Sequence, residues 1–252
     1  MDYIRKIAEK EPLETGYVEL WDFSRANMND ESRVEAVATV ASICYGKPPK
    51  DAKKLVERLW TESGGLPSSA FEFVRDGRSP TIAGSLRNNH DLVTYEDASE
   101  SSEVLIERHR GNIAAFRIKV PIFVARQIMR HRSFSYQELS RRYTDDKRVP
   151  LKFWSPNESE TKRTADLFQL AYTLEERIYK LLLESDVRPE AARAVLGTGL
   201  YTELWMMGDR TAWANYFALR LDPHTQKEHR ELAQAMRDLL EEYQPGFLKE
   251  PS

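Results

Sequence analysis

The sequence has one cysteine, Cys44, in 252 residues. No disulfide framework can form within the chain, so a reducing, cytoplasmic setting is expected. There is no long apolar run. Hydrophobic residues make up 41% of the chain and charged residues 31%, and they are interleaved, so no membrane span is expected. Met1 to Leu13 carries charges at short intervals in place of an apolar segment, and no secretory leader is expected there. Net positive charge is also missing: the formal charge is -3. That argues against a general nucleic-acid-binding field, so an anion site must come from a local concentration of arginine. Internal repeats and low-complexity linkers are absent too. Gly46 to Lys54 and Gly64 to Pro67 are short turn-rich breaks, and residues 1–252 read as one domain.

Hydrophobic periodicity supplies the elements that are present. Glu31 to Cys44 reads as a helix with Val34, Val37, Val40 and Ala41 on one face, and Asp51 to Trp60 as a second. Ala114 to Val120 alternates as a strand, with Phe116, Ile118 and Val120 facing one way and Arg117 and Lys119 the other. Pro121 suits the first turn of the helix that follows. Thr161 to Leu183 reads as a long amphipathic helix. A further helix starts at Pro189 and is broken by Gly197 and Gly199. Leu200 to Met207 reads as a strand, and Arg210 to Leu219 and Thr225 to Tyr243 as helices. The fold class is α/β, helix-rich with a central mixed or antiparallel sheet.

The chemistry concentrates in Arg130 to Tyr143. This stretch holds four arginines, His131, three serines and Glu138. Guanidinium forks suit phosphate and carboxylate oxygens, and serine hydroxyls add short-range donors. Phe134, Tyr136 and Leu139 are interleaved with them, which anchors the segment more firmly than a solvated loop. The composition points to a small molecule bearing phosphate.

Arg130-His131-Arg132, then seven residues, then Ser140-Arg141 resembles the signature of flavin-dependent thymidylate synthases at each of its defined positions. Val120 to Gln127 resembles the strand-to-helix turn of that family. Arg188-Pro189, Ala192 to Leu196, Asn215 to Arg220 and Gln226 to Arg230 resemble its later motifs. The resemblance implies reductive methylation of dUMP to dTMP with FAD, a reduced nicotinamide (NADPH or NADH) as reductant and 5,10-methylenetetrahydrofolate as carbon donor. It implies no covalent protein nucleophile, and a homotetramer with active sites between subunits. Gln127, Arg130 and Arg220 would contact dUMP from one subunit, and Glu138, Ser140, Arg141, Arg142 and Arg193 from another. Arg130, His131, Arg132, Ser135, Glu138 and Asn215 would contact FAD. Arg220 is the implied catalytic residue, because a cation beside the pyrimidine stabilises charge developing on the ring.

The chain departs from the family pattern at Glu107 to Asn112, where a flavin-contacting stretch is usual, and at Cys44, where serine is usual. Two other readings fit parts of the sequence. One is a non-catalytic nucleotide- or phosphate-binding homologue without flavin chemistry. The other is a nucleic-acid module stacking bases on Phe134, Tyr136 and Tyr143, which the negative charge disfavours. His90, His224 and His229 do not show the spacing of a metal site.

Overall fold

The computed structural model describes residues 5–13, 16–22, 30–48, 50–62, 113–156 and 162–249. Their elements are β1 (Arg5–Leu13), β2 (Gly16–Asp22), α1 (Asp30–Ser42), α2 (Ala52–Glu62), β3 (Ile113–Pro121), α3 (Ile122–Ile128), β4 (Ser135–Glu138), α4 (Lys162–Glu184), α5 (Pro189–Ala192), β5 (Tyr201–Asp209), α6 (Arg210–Arg220) and α7 (Lys227–Tyr243). The strands form one sheet in the order β1-β2-β3-β5-β4, with every neighbouring pair antiparallel.

The register explains the core. Phe116 lies opposite Met206 and Ile118 opposite Leu204. These side chains share one face with Val18 and Leu20, buried beneath α3, α6 and α7. The intervening residues Ala115, Trp205 and Met207 form the other face and pack on Val37, Val40 and Ala41 of α1. Helices therefore cover both faces, and β5 reads as a nearly continuous buried run.

Arg117 belongs to the second face. Its guanidinium lies 2.6 Å from Glu203, and Glu203 also accepts from the Tyr17 hydroxyl at 2.8 Å. Burying these groups is tolerated because each finds a partner. At Arg117 the expected polar face of β3 is thus half-buried and paired.

Pro121 stands one position before its expected place. It ends β3 and caps α3 with φ -61° and ψ 147°, an extended conformation that its ring favours. The strands β1 and β2 and the short strand β4 within the arginine-rich segment were not visible as periodic patterns. The Glu107 to Asn112 departure and His90 fall outside the described residues. Among the described residues no helix is long and apolar enough to cross a membrane.

Candidate active site

The arginine-rich segment is held by aromatic packing. Phe134 is buried, with ring centroids of Trp213 and Tyr216 at 4.7 and 5.9 Å. Gly208 makes room for it: a Cβ there would stand 2.5 Å from the Phe134 ring. The Tyr136 hydroxyl lies 2.9 Å from the Ile128 carbonyl and 3.0 Å from that of His131. These contacts clamp the turn between α3 and β4, which carries Arg130, His131 and Arg132.

Two groups of expected site residues emerge. The first joins α3, α6 and α7. Arg220, in the last turn of α6, donates through Nε to Nε2 of His131 at 2.8 Å. The same cation also complements the negative end of the helix dipole. His131 is pushed down to about 4 by burial and by the Arg220 charge, so near neutral pH it is an uncharged acceptor. The contact uses only the Nε hydrogen. Among the described residues the terminal nitrogens of Arg220 make no hydrogen bond. Gln127 belongs to this group through His229 and Gln226. Arg130 and Asn215 are exposed.

The second group surrounds Glu190 at the start of α5. Its carboxylate takes Arg142 Nε at 3.2 Å and Arg188 at 2.9 Å, and its backbone carbonyl accepts from Arg193 Nε at 3.3 Å. Three exposed arginines around one acid leave a local positive excess. Ser140 Oγ accepts from the Arg142 amide. Glu138 accepts from the Thr202 hydroxyl at 2.9 Å, and burial raises its carboxyl pKa above the ordinary value. Arg141 is buried, and its terminal nitrogens donate to the carbonyls of Val149 and Pro150. Its Nε has no partner among the described residues.

Cys44 is half-buried. It accepts from Gln137 at 2.7 Å, and burial pushes its thiol pKa up, which keeps it in the unreactive form. Among the described residues no group of three or more metal-ligating side chains is assembled. Nothing in the sequence alone pointed to Thr202 or Glu190, and Arg188, Tyr216 and Gln226 stood within family-like motifs without a role of their own. His229 entered within the Gln226 to Arg230 motif and as a poorly spaced metal ligand, with no other role. The signal for a different role was its place on the apolar stripe of α7, which continues through Leu232, Ala233 and Met236.

Residues 110–246 match the family model described as thymidylate synthase complementing protein, a span of more than half the chain that includes both groups. The chain belongs to this family. It is 31% identical over 191 residues to the flavin-dependent thymidylate synthase of Pseudothermotoga lettingae, covering 69% of this chain and 85% of that protein. It is 34% identical over 135 residues to the enzyme of the same name from Synechocystis, covering 48% of this chain and 63% of that one. Among solved structures, a UMP/dUMP methylase PolB from Streptomyces cacaoi bound with 5-Br UMP aligns with a TM-score of 0.48 and 24% identity, over 58% of this chain and 81% of that one.

Proposed function

We propose that this chain is a flavin-dependent thymidylate synthase: it converts dUMP to dTMP with 5,10-methylenetetrahydrofolate as carbon donor, FAD as cofactor and NADPH as reductant. The observation that carries the reading is the Arg220–His131 contact, set inside the region that matches the family. Carbon 5 of uracil is a weak nucleophile until negative charge builds on the ring. Arg220 is a permanent cation, braced at Nε and open at its terminal nitrogens, which suits it to stabilise that charge. The neutral state of His131 avoids a second positive charge against Arg220.

In this reading Gln127, Arg130 and Arg220 bind dUMP from one subunit. Glu138, Ser140, Arg141, Arg142 and Arg193 approach it from a neighbour. The positive excess around Glu190 suits the nucleotide phosphate. For Arg141 this role requires the guanidinium to leave the Val149 and Pro150 carbonyls or to use its unpartnered Nε.

The donors at the first group fit a dinucleotide cofactor. Arg130 offers an exposed guanidinium, Asn215 an exposed carboxamide, and His131 a neutral ring. With Arg132, Ser135 and Glu138 they would hold FAD, whose contribution when bound is hydride delivery. A cysteine or serine nucleophile is not needed, in keeping with the raised Cys44 thiol.

A homotetramer needs at least one two-fold contact between subunits, and α4 supports such a contact. Leu167, Leu170, Leu174 and Leu181 are each more than half exposed, and Ile178 continues their stripe. The stripe is symmetric: Leu167 and Leu181 lie seven residues either side of Leu174, and Leu170 and Ile178 four. Arg163 near one end and Glu184 at the other would meet if two such helices crossed antiparallel. That is the self-complementarity a two-fold interface requires. The enzyme is taken to be cytoplasmic and to act as one domain.

The visible spectrum of the purified protein, before and after added FAD, tests the reading. Flavin absorbance that stays with the protein and is released on denaturation is expected. A colourless protein that also fails to take up added FAD contradicts it, and favours the phosphate-binding homologue without flavin.

A further inference from the structure

His229 lies outside the arginine motif, yet its ring is fully buried and bonded at both nitrogens. Nε2 is 3.1 Å from the Tyr216 hydroxyl, and Nδ1 is 3.2 Å from Oε1 of Gln127. Beyond it, Nε2 of Gln127 donates to Oε1 of Gln226 at 2.6 Å. We infer that His229 is a positioning residue that locks the Gln127 carboxamide in a single orientation at the nucleotide site. The inference rests on the reading that Gln127 faces dUMP.

The direction of this chain of hydrogen bonds follows from its buried end. Tyr216 is fully buried, and among the described residues His229 Nε2 is the acceptor its hydroxyl reaches. A buried O–H without an acceptor costs about 1–3 kcal/mol, so the Tyr216 hydroxyl donates and Nε2 is bare. A neutral imidazole carries one hydrogen, so it sits on Nδ1 and is given to Gln127. Burial, together with the charge of Arg220, pushes the His229 ring down to about 3, which keeps it in this single-hydrogen form. The oxygen of Gln127 must therefore face the ring and its nitrogen must face Gln226. One N–H of Gln127 remains for a ligand.

The order Tyr216 to His229 to Gln127 thus transmits the rigidity of the aromatic cluster to a half-buried amide on another helix. Tyr216 also packs against His131 with ring centroids 4.9 Å apart. One buried phenol therefore supports both Gln127 and the partner of Arg220.

The test uses four variants of the chain with FAD bound: His229→Leu, His229→Asn, Gln127→Ala and the double substitution of His229→Leu with Gln127→Ala. dUMP affinity is measured by calorimetry, with KM and kcat alongside. His229→Leu should weaken dUMP binding about tenfold, the equivalent of one fixed hydrogen bond, with kcat changed less than about twofold. His229→Asn keeps an N–H near the Nδ1 position and should recover to within about threefold of wild type. In a Gln127→Ala background His229→Leu should have no further effect on dUMP affinity, since the coupling of two residues in one chain is non-additive.

Nitrogen NMR of ¹⁵N-histidine-labelled wild-type protein should show His229 as the Nδ1–H tautomer. This readout needs neither activity nor a variant that folds. Additive effects of the two substitutions, or an Nε2–H tautomer, overturn the inference. If wild-type protein binds no dUMP at all, the functional reading fails and takes the inference with it. If dUMP binds well and the cycle is additive, only the role of His229 fails.

Discussion

Arg220 and His131 are 89 positions apart in sequence and 2.8 Å apart in space, with the guanidinium donating to an imidazole that stays neutral. The pair connects the C-terminal end of α6 to the turn after α3, and it makes the geometry of the cation depend on Nε.

Replacing Arg220 with Lys therefore removes more than shape. Lysine keeps the charge but has no planar fork to be braced at one nitrogen while presenting two others. Turnover should fall by about 10²- to 10³-fold, the range for losing one preorganised stabilising donor. The drop should be similar in kcat and in kcat/KM for dUMP, because the interaction is made in the transition state. Steady-state kinetics with varied dUMP checks this. A rise in KM alone would make Arg220 a ground-state contact.

The two depressed histidines make stability depend on pH. In the unfolded chain they titrate near 6.5. In the folded protein they do so at about 4 for His131 and about 3 for His229. Between those values the unfolded state holds more protons, so stability falls as pH falls through the window. It is fully present above about pH 6.5. For His229 the slope is at most about 1.4 kcal/mol per pH unit. His229→Asn should flatten the curve. Urea midpoints at pH 7 and pH 5 for both proteins give the comparison, and an unchanged slope would remove His229 from the account.

The exposed stripe of α4 leads to a third expectation. Leu174 sits at its centre of symmetry, so Leu174→Glu places two like charges face to face in a two-fold pairing. The assembly should fall to a smaller species in sedimentation velocity, while the monomer fold, read by circular dichroism, is retained. dTMP synthesis should be lost with the assembly if the site is shared between subunits. An unchanged sedimentation coefficient would show that α4 does not form the interface.

Legibility in the sequence varied with how local each signal was. The alternation of Phe116, Ile118 and Val120 was plain, because one buried face gives a period of two. β1 and β2 were not, because Glu19 and Lys6 occupy strand positions and pair with groups distant in sequence: Glu19 lies 3.1 Å from Lys6 and 3.8 Å from Arg117. The arginine motif was legible as composition and spacing. The gathering of Arg142, Arg188 and Arg193 around Glu190 was not, since it depends on α5 folding back toward the segment after β4. For His229 the sequence offered only a motif position and a poorly spaced metal ligand, because its contact with Tyr216 depends on how α6 and α7 pack.

Formation of dTMP by the purified protein is the decisive measurement. Purified protein is incubated with dUMP, FAD, NADPH and 5,10-methylenetetrahydrofolate, and the nucleotide products are separated and identified by mass. dTMP is expected in amounts exceeding the enzyme, dependent on each of the four components, with no uracil adduct on the protein at the end of the reaction. No dTMP from a flavin-loaded, correctly assembled protein, or a stable adduct through Cys44 or Ser140, would contradict the proposed function.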